Sequence, residues 1–215
     1  MKLKVLLDDC VVINHCLGKL DHSPYTESNL KFFDYLASHP LPSIGIMTFR
    51  TRYNVKKQLI EKLRYRGGYA KNRCMQKFDE MRNFVSPVGV PLEEFYENLS
   101  DVKTFFRNFI DKNSSKNNNV DLRMVSNRFK GTIKEVCLNN AEKTLLSGPE
   151  REDKELLAGA ICLTKEYKPL FLASTDEHFT GNLISGEIGK TYGILTGLPQ
   201  KILPEIKKYE QSLLK

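Results

Sequence analysis

Long apolar runs are missing from this 215-residue sequence. No stretch approaches the roughly 18 consecutive apolar residues of a membrane-spanning helix, so no membrane partner is expected. The opening MKLK is followed by too short an apolar run to form a signal peptide before the acids begin. Cysteine is sparse, odd in number and scattered, at Cys10, Cys16, Cys74, Cys137 and Cys162, with no CxxC pair. That pattern argues against a disulfide framework or a structural zinc site. The expectation is an intracellular, cytoplasmic protein with reduced thiols. The GxxxxGK(S/T) phosphate loop, the GxSxG elbow and the HExxH zinc motif are also missing.

What is present is ordinary for a globular chain, with 40% hydrophobic and 27% charged residues. A chain of this length suits one domain with a sizeable core. Acid is in deficit, since the net charge is +7. The excess is concentrated. Between Arg50 and Arg82 lie eleven basic residues against Glu61, Asp79 and Glu80, a net of +8. Tyr53, Tyr65 and Tyr69 are interleaved with them. Basic side chains with aromatics suit a phosphate backbone with exposed bases, although a solvated helix face has the same composition.

Hydrophobic patterning predicts a buried strand at 3–7, a helix over 26–38 and a second strand at 43–48. A basic helix is expected from about 49 to 65, another over 70–84, an extended segment at 85–90 and a helix over 92–110. The run DKNSSKNNNVD at 111–121 reads as a surface loop. Residues 122–146 read as helical, and Pro149 opens a helix over 150–167 with a stripe of Leu156, Leu157, Ala160 and Ile161. Strands follow at 170–173 and 192–196, and the tail over 200–215 is amphipathic and helical. Strands alternating with helices imply an α/β fold on a largely parallel sheet.

In such sheets, ligands bind at the carboxyl ends of the strands. Two predicted strands end in acid there, one at Asp8–Asp9 and one at Asp176, and Asp153 lies in the first turn of the helix after Pro149. An acid in that turn also favours its own helix dipole. Gathered carboxylates repel one another, and a divalent cation relieves them. Strand-end acids beside a basic face predict metal-dependent cleavage of nucleic acid. His178, two residues beyond Asp176, is expected to pack with Phe179 beside the site. Two adjacent acids after a first strand also occur in phosphoacceptor receiver domains, but those need an Asp at the end of a later strand, where this chain has Ile46–Met47–Thr48.

The opening LLDDCVVI resembles the first motif of PIN domains, in which a strand delivers an Asp before a short helix. The stretch EDKELLAGAICLTKEYKPLFLASTDEHF is similar to the C-terminal signature of that family, and YGILTGLPQKIL to its closing strand and tail. The resemblance covers about residues 1–60 and 147–203. It implies a three-layer α/β/α fold with a central, mostly parallel sheet of 4–5 strands and extra helices. The implied organisation is a single domain over 1–203, a helical insertion at about 56–146 and a helical tail over 204–215. The implied activity is that of an Mg2+- or Mn2+-dependent endoribonuclease. Asp8, Asp153 and Asp176 would be catalytic and hold the metal, with Thr175, His178 and Phe179 fitting the flanking pattern. RNA or another nucleic acid would bind Arg50, Arg52, Lys56, Lys57, Arg64 and Arg66. An antitoxin-like protein or a second copy is the implied protein partner.

One position departs from the pattern. The family places a Glu about six residues past a Ser or Thr in the helix after the second strand; here, counting from Thr48, that position is Asn54. Asn is neutral and a poorer ligand. Asp9, Glu135 or Glu142 could supply the missing acid, whereas Glu61, two turns on, is too far along the helix for a simple replacement. Asn54 favours the alternative of a catalytically degenerate module that binds RNA or a protein without cleavage.

Overall fold

Short apolar runs recur along the chain, and those around Leu6, Ile46 and Leu172 form strands buried on both faces. The computed structural model describes residues 3–20, 23–40, 44–114, 133–139 and 143–213. Among them, β1 (Lys4–Leu7), β2 (Gly45–Thr48), β3 (Val85–Val88), β6 (Leu170–Ala173) and β7 (Ile194–Gly197) form a five-stranded sheet in the order β3-β2-β1-β6-β7. Every pairing in it is parallel. The expected α/β/α architecture is therefore present, with a wholly parallel central sheet.

Alternation along each strand divides the core in two. Val5, Leu7, Met47, Phe171 and Ala173 join one cluster, with α1 (Asp9–Leu17), α2 (Thr26–Ser38), α3 (Phe49–Lys62), α4 (Gly68–Glu80) and α9 (Pro199–Leu213). Leu6, Ile46, Leu170, Leu172 and Ile194 join the other, with α5 (Leu92–Asn113), α6 (Arg151–Leu163), α7 (Glu177–Thr180) and α8 (Asn182–Tyr192). α8 ends on Gly193 at φ 70°, a left-handed cap that turns the chain into β7.

The stretch read as an insertion contributes to the main body. β3 is an edge strand of the central sheet, and α5 packs along α6. α9 spans the boundary drawn at 203/204, and its Ile202 and Ile206 are buried in the first cluster.

The helix expected over 122–146 is a correction. Residues 133–137 and 143–147 form β4 (Ile133–Cys137) and β5 (Lys143–Ser147), an antiparallel pair separate from the main sheet. Residues 122–132 and 140–142 of that expected helix lie outside the described residues. Packing favours the strands, because Val136, Leu138 and Leu146 bury in the second cluster and Ile133 is buried as well. The expected loop over 111–121 begins inside α5, which runs to Asn113, and residues 115–121 lie outside the described residues. No described helix is long and apolar enough to cross a membrane.

Phe106 of α5 is fully buried and packs edge-on against Phe179 and His178, at ring-centroid distances of 6.3 and 6.1 Å. Phe106→Ala is expected to lower stability by about 3–5 kcal/mol, read as a reduced urea midpoint at unchanged slope.

Candidate metal and nucleic-acid site

The sheet order reverses between β1 and β6. The chain builds β1, β2 and β3 outward in one direction, then returns to place β6 and β7 on the other side of β1. The carboxyl ends of β1 and β6 flank that crevice, which is where parallel sheets bind ligands. Asp8 follows β1, and Ser174, Thr175 and Asp176 follow β6.

Three helix N-termini face this crevice, and each expected acid serves one of them. Asp8 is the N-cap of α1 and accepts a hydrogen bond from the Asp9 amide at 2.7 Å. Asp153 forms a capping box with Glu150, accepting the Glu150 amide at 2.8 Å. Asp176 is the N-cap of α7 and accepts the His178 amide at 2.7 Å. Capping accounts for each acid singly. It does not account for their convergence at one crevice.

Ser174 ties two of them together. Its buried hydroxyl donates to Asp8 Oδ2 at 2.6 Å and accepts the Asp176 amide at 2.9 Å. The Cys10 thiol also donates to Asp8 Oδ2, at 3.1 Å, while Cys10 Sγ accepts the Thr175 amide at 3.2 Å. Gln58 Nε2, from α3, donates to Asp9 Oδ2 at 2.9 Å.

The ligating atoms fall into two groups. Those of Asp8, Asp9 and Cys10 lie within 4.8 Å of one another, and so do those of Asp153, Asp176 and His178. Asp8, Asp153 and Asp176 do not form one such group by themselves. A cavity of about 340 Å³ is lined by Asp9, Gln58, Glu152, Asp153, Asp176 and His178. A second cavity, of about 360 Å³, is lined by Asp8, Asp9, Asn54 and Glu152 together with apolar and aromatic side chains. Asp9 and Glu152 belong to the walls of both.

Burial dominates the electrostatics. It raises the Asp8 carboxyl well above its ordinary value, Asp9 and Asp153 add to the rise, and the Ser174 and Cys10 hydrogen bonds oppose it. Burial also raises Asp9, against hydrogen bonds that include the one from Gln58, and Glu152 adds to the rise. Asp153 is pushed up to about 7, by burial first and then by the charge of Asp176. Asp176 behaves oppositely. Burial alone would raise it, but the hydrogen bond and charge of His178 hold it below its usual value.

The His178 ring is held at both nitrogens. Nδ1 lies 2.6 Å from Asp176 Oδ1, and Nε2 lies 2.8 Å from the Ser147 carbonyl oxygen. Both neighbours are acceptors, so the doubly protonated ring satisfies both. Burial opposes that charge, and Asp176 and Asp153 raise the ring's pKa despite it. His178 also packs on Phe106.

The donor set fits a hard divalent cation. Asp8, Asp9, Glu152 and Asp153 are carboxylates, and burial raises the pKa of Asp8, Asp9 and Asp153, with neighbouring acids adding to the rise and, at Asp153, the charge of His178 opposing it. Asp176 already has a cation beside it in His178.

The basic residues divide. Arg50 lines the cavity that holds Asp8 and pairs with Glu155 at 2.5 Å, and Arg151 pairs with the other oxygen of Glu155 at 2.7 Å. Glu155 is buried, so Arg50 is partly spent on neutralising it. At about 100° per residue, Lys57 stands near Arg50 on α3, while Arg52 and Lys56 stand roughly 200° and 240° round the helix. Arg64 and Arg66 are exposed in the turn before α4, with Arg64 over the Tyr65 ring at 5.7 Å. The six therefore do not share one face.

Asn54 lines the cavity beside Asp8 and Asp9. Thr175 is half-buried and lines a separate pocket with Asp176 and His178. Glu61 is exposed on α3, and Glu135 is in β4; neither lines the two acidic cavities. Glu142 lies outside the described residues. The acid that enters is Glu152. Its signal was the doublet Glu152–Asp153, a second pair of adjacent acids at a helix start like Asp8–Asp9. Ser174, Gln58 and Glu155 carried no comparable signal.

Comparison with protein-family models, with curated proteins and with solved structures returns no match for this chain.

The acids set a pH dependence. Asp153 binds its proton more tightly when folded, so between its ordinary 3.8 and about 7 the native state holds the extra proton. Stability therefore falls as pH rises through that window. His178, raised above its usual 6.5, continues the decline at higher pH. In EDTA, the urea midpoint is expected to drop from pH 4 to pH 7. Asp153→Asn, whose amide oxygen still accepts the Glu150 N–H, should flatten that drop by at most about 4 kcal/mol.

Proposed function

We propose that this chain is a PIN-like, metal-dependent nuclease that hydrolyses phosphodiester bonds in RNA, using Mg2+ or Mn2+. The observation that carries the reading is the convergence of Asp8, Asp9, Glu152, Asp153 and Asp176 on the two adjoining cavities at the β1–β6 crevice. The resemblance of LLDDCVVI and of the segment ending in STDEHF to PIN motifs supports it. Asp8 with Asp9 on one side of the crevice, and Asp153 with Asp176 on the other, are the carboxylates that would hold the cation. Bound there, it would supply Lewis-acid polarisation of a phosphodiester oxygen. Ser174 fixes the Asp8 rotamer, and Gln58 orients Asp9. His178 neutralises Asp176, lowering the repulsion an incoming phosphate meets. The exposed cations Lys57, Arg64 and Arg66 would hold phosphates of the strand farther along α3 from the crevice.

A second reading is a module that binds RNA or a protein partner without cleaving. Asn54 favours it, because a neutral amide lines the cavity where the family pattern has a carboxylate. The readings separate on labelled RNA incubated with Mn2+, with Mg2+ and with EDTA. Cleavage is expected only with metal, and Asp8→Asn should lower it by at least about a hundredfold. Binding without cleavage in either metal, unchanged by Asp8→Asn, sinks the nuclease.

The basic turn has its own test. Arg64→Ala with Arg66→Ala is expected to weaken binding evenly across RNA sequences. It should also reduce the slope of log affinity against log salt by about 1 per lost phosphate contact.

A further inference from the structure

The cavity beside Asp8 has a composition that cation binding does not explain. At about 360 Å³ it is of the size that takes a small organic group. Its lining combines the acids Asp8, Asp9, Glu152 and Glu155 with residues at the ends of β2, β3 and α5. Two aromatic rings there are mostly exposed, Phe49 at 62% and Tyr96 at 65%. Phe49 opens α3 and Tyr96 lies in the second turn of α5, so both rings are carried on rigid elements. Gly89 sits beside Phe49, where a Cβ would lie 3.7 Å from the ring, so the wall there has no side chain above the aromatic.

Apolar residues that face water have a cost, and here they line a concavity that opens onto polar groups. Asn54 offers an amide donor and acceptor, Thr51 a hydroxyl, and Arg50 a guanidinium that is 47% exposed. A flat, π-bearing ligand with a hydrogen-bonding edge and an attached anion matches this set. An apolar peptide side chain would leave the Asn54 amide unused, and a bare phosphate would leave the rings uncovered, whereas Arg50 is held by Glu155 with either.

We propose that this cavity is a nucleobase subsite. A base of single-stranded nucleic acid stacks against Phe49 and Tyr96, with its edge toward Asn54, and this sets which phosphodiester meets the acids. The proposal rests on the reading of the crevice as a nucleic-acid site. It also gives Asn54 a role as a base-reading group at the position where a carboxylate was expected. A base held in a duplex cannot enter, so the subsite selects unpaired strands.

The test is a binding scan on the full chain, with Ca2+ in place of Mn2+ and the oligonucleotide checked for integrity on a gel. The probes are a labelled RNA decamer and the same decamer with one base removed at each position in turn. Removing the base at one position is expected to weaken wild-type binding by about 5- to 150-fold, the range for loss of one stacked base. Phe49→Ala with Tyr96→Ala should bind the intact decamer about as weakly and lose little more at the abasic position. Both rings are surface-exposed, so a circular dichroism melt should match wild type; Phe49→Leu with Tyr96→Leu repeats the test with apolar area kept. An affinity indifferent to every abasic position, or the same loss in wild type and variants, overturns the subsite, and so does an absence of binding. The nuclease reading is scored separately by Mn2+-dependent cleavage. Base-dependent binding without cleavage keeps the subsite and rejects the nuclease; cleavage without base dependence does the reverse.

Discussion

The burial of one carboxylate at the end of the central strand organises this molecule. β1 lies in the middle of a five-stranded parallel sheet, so the residue that follows it emerges between helices of both layers. Asp8 is that residue, and it is only 7% exposed. A carboxylate in such a place needs hydrogen bonds or a counter-charge. The fold supplies the first through Ser174, Cys10 and the Asp9 amide. Among the described residues no cationic side chain pairs with Asp8, and burial, with the charge of Asp9, raises the pKa of the group.

The rest of the crevice follows from the same arrangement. Parallel strands share a direction, so the ends of β1 and β6 are neighbours and Ser174 reaches both Asp8 and the Asp176 amide. α6 packs over the second core cluster and brings its N-terminus, with Glu152 and Asp153, to the same edge. Two local solutions to negative charge then coexist. His178 neutralises Asp176, and Arg50 with Arg151 neutralises Glu155. Asp8 and Asp9 are left with only hydrogen bonds against their burial, and Asp153 shares the charge of His178 with Asp176, which is the closer partner.

Much of this was legible along the chain because it is local. The strand-end acids at Asp8 and Asp176, the helix-start acid at Asp153 and the strand–helix alternation are short-range patterns, and the structure places those elements within a few residues of expectation. Residues 133–137 and 143–146 read as helix, whereas they pair in β4 and β5, with Val136, Leu138 and Leu146 buried in the second cluster, a tertiary contact that no local pattern announces. The basic block was read as one surface. Helix geometry splits it, turning Arg52 and Lys56 away from the side that carries Arg50 and Asn54.

The sequence by itself determined the sheet, its direction and the three acids, since each depends on apolar periodicity or on a residue's place at an element's end. Only the tertiary structure decided the company those acids keep. Ser174 lies 166 positions from Asp8 and Gln58 lies 49 positions from Asp9, separations at which no pattern in the chain announces a contact. The same holds for Glu152 entering the crevice in place of an acid at Asn54, and for Phe49 and Tyr96 meeting in one cavity wall. These pairings depend on how helices pack across a sheet, and packing is a property of the whole core rather than of any segment.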